Sequence, residues 1–170
     1  MDDSVRTKRL GDTTATVSRM ELRSEHARVL AQAEPLTVAS GTPLADALLA
    51  MRDAHGDAVL VCRQNELVGI LTERDVLTRI LGLEVDDRRP VDDFMTAQPH
   101  TLPADATLFD AMQAMEHGGY RNLPLVDGER QLVGLLRQQD LLKYVAEAFP
   151  QEILNLPPRP HQLMEEPEGA

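Results

Sequence analysis

Gly69-Ile-Leu-Thr-Glu-Arg-Asp75 and Gly134-Leu-Leu-Arg-Gln-Gln-Asp140 are two versions of one phrase. Each is a short apolar run with an aspartate four positions beyond its end, the pattern of a strand that runs straight into a helix. Taken alone, the first is a capping pair, with Thr72 at the N-cap and Asp75 at N3, where the helix dipole also favours it. The same geometry suits a ligand. A carboxylate at a helix start can accept both hydroxyls of a ribose, and free amides beside it can hold phosphate oxygens. In the second copy Arg137 takes the cap position, so the capping box is broken while Asp140 remains. Capping is therefore not the whole explanation for an aspartate in both places.

Working outward, the two phrases belong to an internal repeat. At an offset of 64, Pro35-Leu-Thr-Val38 falls on Pro99-His-Thr-Leu102, and Leu44, Asp46, Ala47, Ala50 and Met51 fall on Leu108, Asp110, Ala111, Ala114 and Met115. With one extra residue in a turn, Leu67-Val-Gly69, Leu71 and Asp75 fall on Leu132-Val-Gly134, Leu136 and Asp140. Two copies of one unit result, 34–83 and 91–149, joined by a linker at 84–90. Each reads as strand, helix, hairpin and helix. The first has a strand near Leu36–Val38 and a helix signalled by Thr42 before Pro43. Ala58–Val61 and Leu67–Leu71 then form a hairpin, and a last helix from Thr72 ends at Gly82. A unit of this size barely buries its own sheet, so the two should pack sheet on sheet about a pseudo-twofold axis. A cleft at that axis is lined by both copies. The predicted fold is α/β (α+β), two βαββα repeats.

Outside the repeats, 1–17 is polar and reads as a flexible arm. Ser18-Arg-Met-Glu21 reads as a capping box opening a helix over 18–33, with Leu22, Val29, Leu30 and Ala33 as its apolar positions. The stretch 150–170 holds five prolines and four glutamates and reads as an extended tail.

Composition removes several function classes. The net charge is −11 and aromatic residues are 3%, which disfavours both duplex and single-strand nucleic-acid binding. No apolar run approaches the roughly 20 residues of a membrane span. The start, Met-Asp-Asp-Ser, lacks the basic and apolar regions of a secretory signal. The lone Cys62 fits a reducing compartment, so a cytoplasmic protein is expected. No nucleophile, metal set or acid–base pair converges on one place, so no catalytic residue is assigned and an enzyme is not expected. Cys62 sits in an apolar strand, the setting of an inert thiol.

Two units ending in Gly-h-h-(Ser/Thr)-x-x-Asp, with h apolar, resemble a tandem pair of cystathionine-β-synthase (CBS) domains. Gly69–Leu77 is similar to that family's ribose signature. Asp93-Phe-Met-Thr96 before Pro99 resembles the usual start of a second unit, and Tyr120-Arg-Asn-Leu-Pro-Leu-Val126 its central strand. The resemblance covers about 115 of the 170 residues. It implies a regulatory pair that binds an adenosine-type ligand (AMP, ADP, ATP or S-adenosylmethionine, in some relatives NAD or a cyclic dinucleotide). Such a pair reports occupancy to a protein target, often as a homodimer. At the first site the resemblance implies Asp75 for the ribose with Thr72 assisting, Thr37 and Val38 along the adenine, and Ala58 and Leu60 as walls. Arg74 and Arg121 would serve the phosphate, with His117 as a further candidate. The second site would use Thr101, Asn122, Leu123, Pro124, Arg137 and Asp140. There the long Arg137 either reaches a phosphate or fills the pocket. The alternative role is a ligand-free scaffold for protein–protein contact. The first unit also departs from the family pattern: Ala27–Ala33, where a Val-x-Asp-apolar-Met segment is usual, lacks the methionine.

Overall fold

The computed structural model describes residues 21–149. The arm at 1–17, the start of the 18–33 helix and the tail at 150–170 lie outside them. Two sheets carry the fold. The first has the order β1 (Thr37–Ala39), β2 (Ala58–Arg63), β3 (Glu66–Thr72) and β4 (Thr96–Ala97). The second has β5 (Leu102–Pro103), β6 (Asn122–Val126) and β7 (Leu132–Arg137). In each repeat the first strand pairs parallel with the second, which pairs antiparallel with the third. Gln64 and Asn65 turn the first hairpin with positive φ values of 50° and 74°, as a tight turn matched to the strand twist requires.

Helix α1 (Leu44–Asp53) follows β1, and its counterpart α3 (Leu108–Gly118) follows β5. Helix α2 (Glu73–Asp75) continues as a π-helical turn at Val76–Ile80, whereas its counterpart α4 (Gln138–Ala148) is a regular helix. Alternation along β2 divides the core. Val59 and Val61 join Leu44, Ala47 and Met51 under the helices. Ala58 and Leu60 face the other way, with Leu67 and Ile70, onto Val126 and Leu135 of the second sheet. This face-to-face contact is the packing the repeat demands.

The structure departs from the expected 18–33 helix. Helix is present only over 21–24 of its described part, followed by a 3-10 turn at Ala27–Val29. The backbone then has better partners elsewhere. His26 bridges Thr107 and Gln32 bridges Leu135, so the segment runs along the second repeat. The equivalent segment of the second repeat does the reverse: Pro90 bridges Pro43, and Thr96 pairs with Ile70. The two lead-in segments are thus exchanged. Leu22 and Ala27 complete the second repeat's core, while Val91 and Phe94 complete the first's.

The exchange also settles how α1 begins. Thr42 is not its cap. Pro43 occupies the N-cap position and offers no side-chain acceptor. The first free amides, of Leu44 and Ala45, donate instead to the carbonyls of Arg89 and Asp87 in the linker. Helix α3 has both devices: Leu108 N–H donates to Glu25, and Thr107 and Asp110 form a capping box.

Candidate functional site

At the β3–α2 junction Asp75 is only 7% exposed. Its Oδ2 accepts from the Thr72 amide at 3.0 Å and the Thr72 hydroxyl at 2.6 Å. Thr72 in turn accepts from the Asp75 amide at 3.4 Å, which closes the capping box. The capping role is therefore real. It uses one carboxylate oxygen and leaves Oδ1, which has the Arg79 guanidinium at 3.5 Å.

A cleft of about 300 Å³ opens at this junction. Its floor is Ile70, Thr72 and Asp75, with Glu73, Arg74 and Arg79 from the helical turn. The lead-in of the second repeat supplies Thr96, Pro99 and His100. The loop before β6 supplies Gly118 to Asn122, and Asp57 comes from the loop before β2. The His100 and Tyr120 rings stack at 5.1 Å with 7° between their planes. A Cβ on Gly118 would overlap the Tyr120 ring at 2.0 Å, so only glycine lets this ring fold back over the loop. Three arginines, Arg74, Arg79 and Arg121, line the same cleft as Asp75. Among its polar groups, Asn122 donates to Asp57 at 3.1 Å, while the Asn122 Oδ1 is buried without a partner.

The structure brings together Thr72, Arg74, Asp75 and Arg121 of the residues expected at the first site, and adds Asn122 from the second set. It does not bring Thr37, Val38, Ala58 or Leu60 to the cleft lining. Thr37 and Val38 lie on β1, at the sheet edge opposite β4. The exchanged lead-in places Pro99 and His100 of the second repeat where the equivalent stretch of the first was expected. Ala58 and Leu60 are core between the sheets. His117 is also not a lining residue; its Nδ1 lies 2.8 Å from the Gln113 carbonyl, one helical turn back.

Sequence reasoning passed over Arg79, Asp57, His100 and Tyr120. Arg79 had a signal, since it stands four residues beyond Asp75 on one helical turn. His100 and Tyr120 were legible only with the exchange in hand.

At the β7–α4 junction the geometry differs. Arg137 donates to both oxygens of Asp140, Nε to Oδ2 at 2.7 Å and Nη2 to Oδ1 at 3.2 Å. The bond to Asp140 raises the Arg137 pKa further above its ordinary value, partial burial opposes this, and the charges of Asp140 and Asp57 add to the rise. Leu123 and Pro124 are fully buried in β6, and Thr101 is half-buried ahead of β5. Asn122 pairs across the strands with Arg137.

Elsewhere, burial raises the Cys62 pKa above the ordinary thiol value, in keeping with an inert thiol. Among the described residues no helix is long and apolar enough to cross a membrane, and no group of three or more His, Cys, Asp or Glu residues is placed to hold a metal ion.

Comparison with known proteins agrees with this architecture. The family model of the CBS domain matches twice, at residues 27–82 and 91–147. The CBS domain-containing protein CBSCBSPB1 of Arabidopsis thaliana is 30% identical over 155 residues, which is 88% of this chain. The chain spans only 28% of that protein's length. Among solved structures, CBSX2 in complex with AMP superposes with a TM-score of 0.65 at 20% identity, covering 72% of this chain and 97% of that one. The CBS domain pair of protein MJ0100, in complex with 5′-methylthioadenosine and S-adenosyl-L-methionine, gives 0.64 at 18%, covering 72% and 97%. At these identities the two structures show a shared fold.

Proposed function

Because the chain belongs to the CBS-domain family, whose model spans both repeats, we propose that it is a regulatory sensor that binds an adenosine-type ligand in the cleft at the first strand–helix junction. The observation that carries this reading is Asp75. It is buried, anchored by Thr72 through one oxygen, and has the half-exposed Arg79 guanidinium at 3.5 Å from the other, in a cleft that three arginines line. Oδ1 would accept the ribose hydroxyls. Arg121 and Arg74 would take a phosphate, with Arg79 between the two functions. The buried, unpartnered Asn122 Oδ1 is an acceptor suited to an exocyclic amine. The AMP bound to CBSX2 and the 5′-methylthioadenosine and S-adenosyl-L-methionine bound to MJ0100 support the ligand class. AMP, ADP, ATP and S-adenosylmethionine all remain candidates.

The sensor reading includes no chemistry of its own. Occupancy would be reported to an unidentified protein target in the cytoplasm. A homodimer is part of the reading: Leu77 and Leu142 stand at equivalent positions of the two repeats, 64% and 62% exposed, and a second copy would cover both. Light scattering of the purified chain tests this, and a monomer at micromolar concentration rejects it.

Isothermal titration of AMP, ADP, ATP and S-adenosylmethionine into wild type and Asp75→Ala tests the ligand. Hydrogen bonds to a charged acceptor are worth roughly 1.5–3 kcal/mol each. Two of them make the expected loss at least about 100-fold. A folded wild type that binds none of these ligands rejects the reading, and the pair is then a ligand-free scaffold.

A further inference from the structure

The pseudo-twofold axis allows each residue of the first cleft to be matched with its counterpart at the second junction. Thr72 corresponds to Arg137, and Asp75 to Asp140. Arg74 corresponds to Gln139, Arg79 to Tyr144 and Arg121 to Asp57. The backbone obeys this symmetry closely: the Glu73 amide donates to the Asp57 carbonyl at 3.0 Å, and the Gln138 amide to the Arg121 carbonyl at 2.8 Å. Arg74 and Arg79 of the first cleft are therefore replaced at the second junction by uncharged side chains, while Asp57 and Arg121, just before β2 and β6, stand beside both junctions. Burial, and then the charges of Glu25 and Glu21 from the exchanged lead-in, raise the Tyr144 pKa there.

A cation from inside the chain holds the acid at this junction. Arg137 grips both oxygens of Asp140. We infer that Arg137 is the resident occupant of the second junction, its guanidinium holding the carboxylate that would otherwise face a ribose, so that each chain takes one nucleotide, at the first junction only. The inference rests on the nucleotide reading of the first cleft. It adds that the second site is closed by a built-in counter-ion.

Arg137→Thr restores the small hydroxyl and frees Asp140. Wild type takes one equivalent of adenosine or of AMP. Arg137→Thr takes a second equivalent of adenosine. Two equivalents of AMP on wild type, or a folded Arg137→Thr chain that stops at one adenosine, overturns the inference.

Occupancy is also read without any ligand. The Arg137 Nε–H resonance should exchange slowly with water in wild type and quickly in Asp140→Asn. An Arg137 resonance that exchanges as fast as a free arginine overturns the inference whatever the titrations show. Absence of all binding to wild type instead rejects the nucleotide reading, and the resonance still decides what holds Asp140.

Discussion

The β3–α2 and β7–α4 junctions share a backbone and differ in charge. Both end a strand beside a glycine, both open a helix, and both carry an aspartate three residues on. At the first, Asp75 is fixed by Thr72 through one oxygen, has Arg79 at 3.5 Å from the other, and shares its cleft with Arg74 and Arg121. At the second, Asp140 is held at both oxygens by Arg137, and the positions of Arg74 and Arg79 carry Gln139 and Tyr144. Duplication supplied two equal frames. On the proposed reading, a few side-chain differences then make one frame a receptor and fill the other. Symmetry of fold is thus no guide to stoichiometry, and the signature aspartate alone does not mark a live site.

The largest effect should fall on ligand affinity. Asp75→Ala is expected to weaken AMP binding by at least about 100-fold, while Asp140→Ala leaves it within about 3-fold. Parallel titrations of the two variants make the comparison. Equal losses would show that the two junctions act alike and would break the asymmetry.

The glycines of the two phrases offer the next contrast. A Cβ on Gly69 would meet the Met95 sulfur at 2.0 Å and its Cγ at 2.8 Å. On Gly134 the nearest atoms are the Gln32 carbonyl oxygen at 3.2 Å and the Ala31 Cβ at 3.3 Å. Met95 and Ala31 are counterparts in the exchanged lead-ins, so the missing methionine of the first lead-in has a structural consequence. Gly69→Ala should cost roughly 1–3 kcal/mol through overpacking. Gly134→Ala should cost less, since its neighbours need give only a few tenths of an ångström. Thermal unfolding of both variants, and of Gly69→Ala combined with Met95→Ala, checks this. Failure of the second substitution to rescue the first would show that Met95 is not the obstacle.

A smaller effect concerns charge. Arg121→Ala should weaken AMP by about 10-fold, the scale of one charge-assisted contact at a half-open site, and leave adenosine nearly unchanged. Loss of both ligands together would place Arg121 at the ribose or base and not at the phosphate.

The sequence made the repeat legible because some dozen identities keep their order over one offset, and it made the hairpins legible through alternation and turn residues. Asp75 and Thr72 were legible because a strand–helix junction limits where their side chains can go. The lead-ins were not. Pro35-Leu-Thr37 and Pro99-His-Thr101 look alike, and nothing local says which sheet each will join. That choice is made by backbone pairing of Thr96 with Ile70 and of Gln32 with Leu135. It moved the cleft wall from Thr37 and Val38 to Pro99 and His100. The 18–33 helix failed for the same reason, since apolar residues at helical spacing also serve a segment that packs along another sheet. Whether Arg137 reaches outward or inward was a rotamer question, decided by the carboxylate three residues away.

The smallest effect separates the two long helices. Thr107→Ala removes the hydroxyl that accepts from the Asp110 amide at 3.1 Å and donates to its Oδ2 at 2.7 Å; a lost N-cap costs about 1 kcal/mol. Thr42→Ala should cost almost nothing, because α1 has no side-chain cap to lose. The Thr107 hydroxyl and then its amide hold the Asp110 carboxyl below its ordinary pKa. A carboxylate with a depressed folded pKa stabilises the native state fully above its unfolded value, near 3.9, and loses that contribution as pH falls through the folded value. The gap in melting temperature between wild type and Thr107→Ala should therefore be widest near neutral pH and narrow below about pH 4. A gap that is constant with pH would mean the threonine acts only through the amide it caps. A gap that widens in acid would mean the capping box does not hold the charged form of Asp110, and the two helix starts would then differ only in their backbone partners.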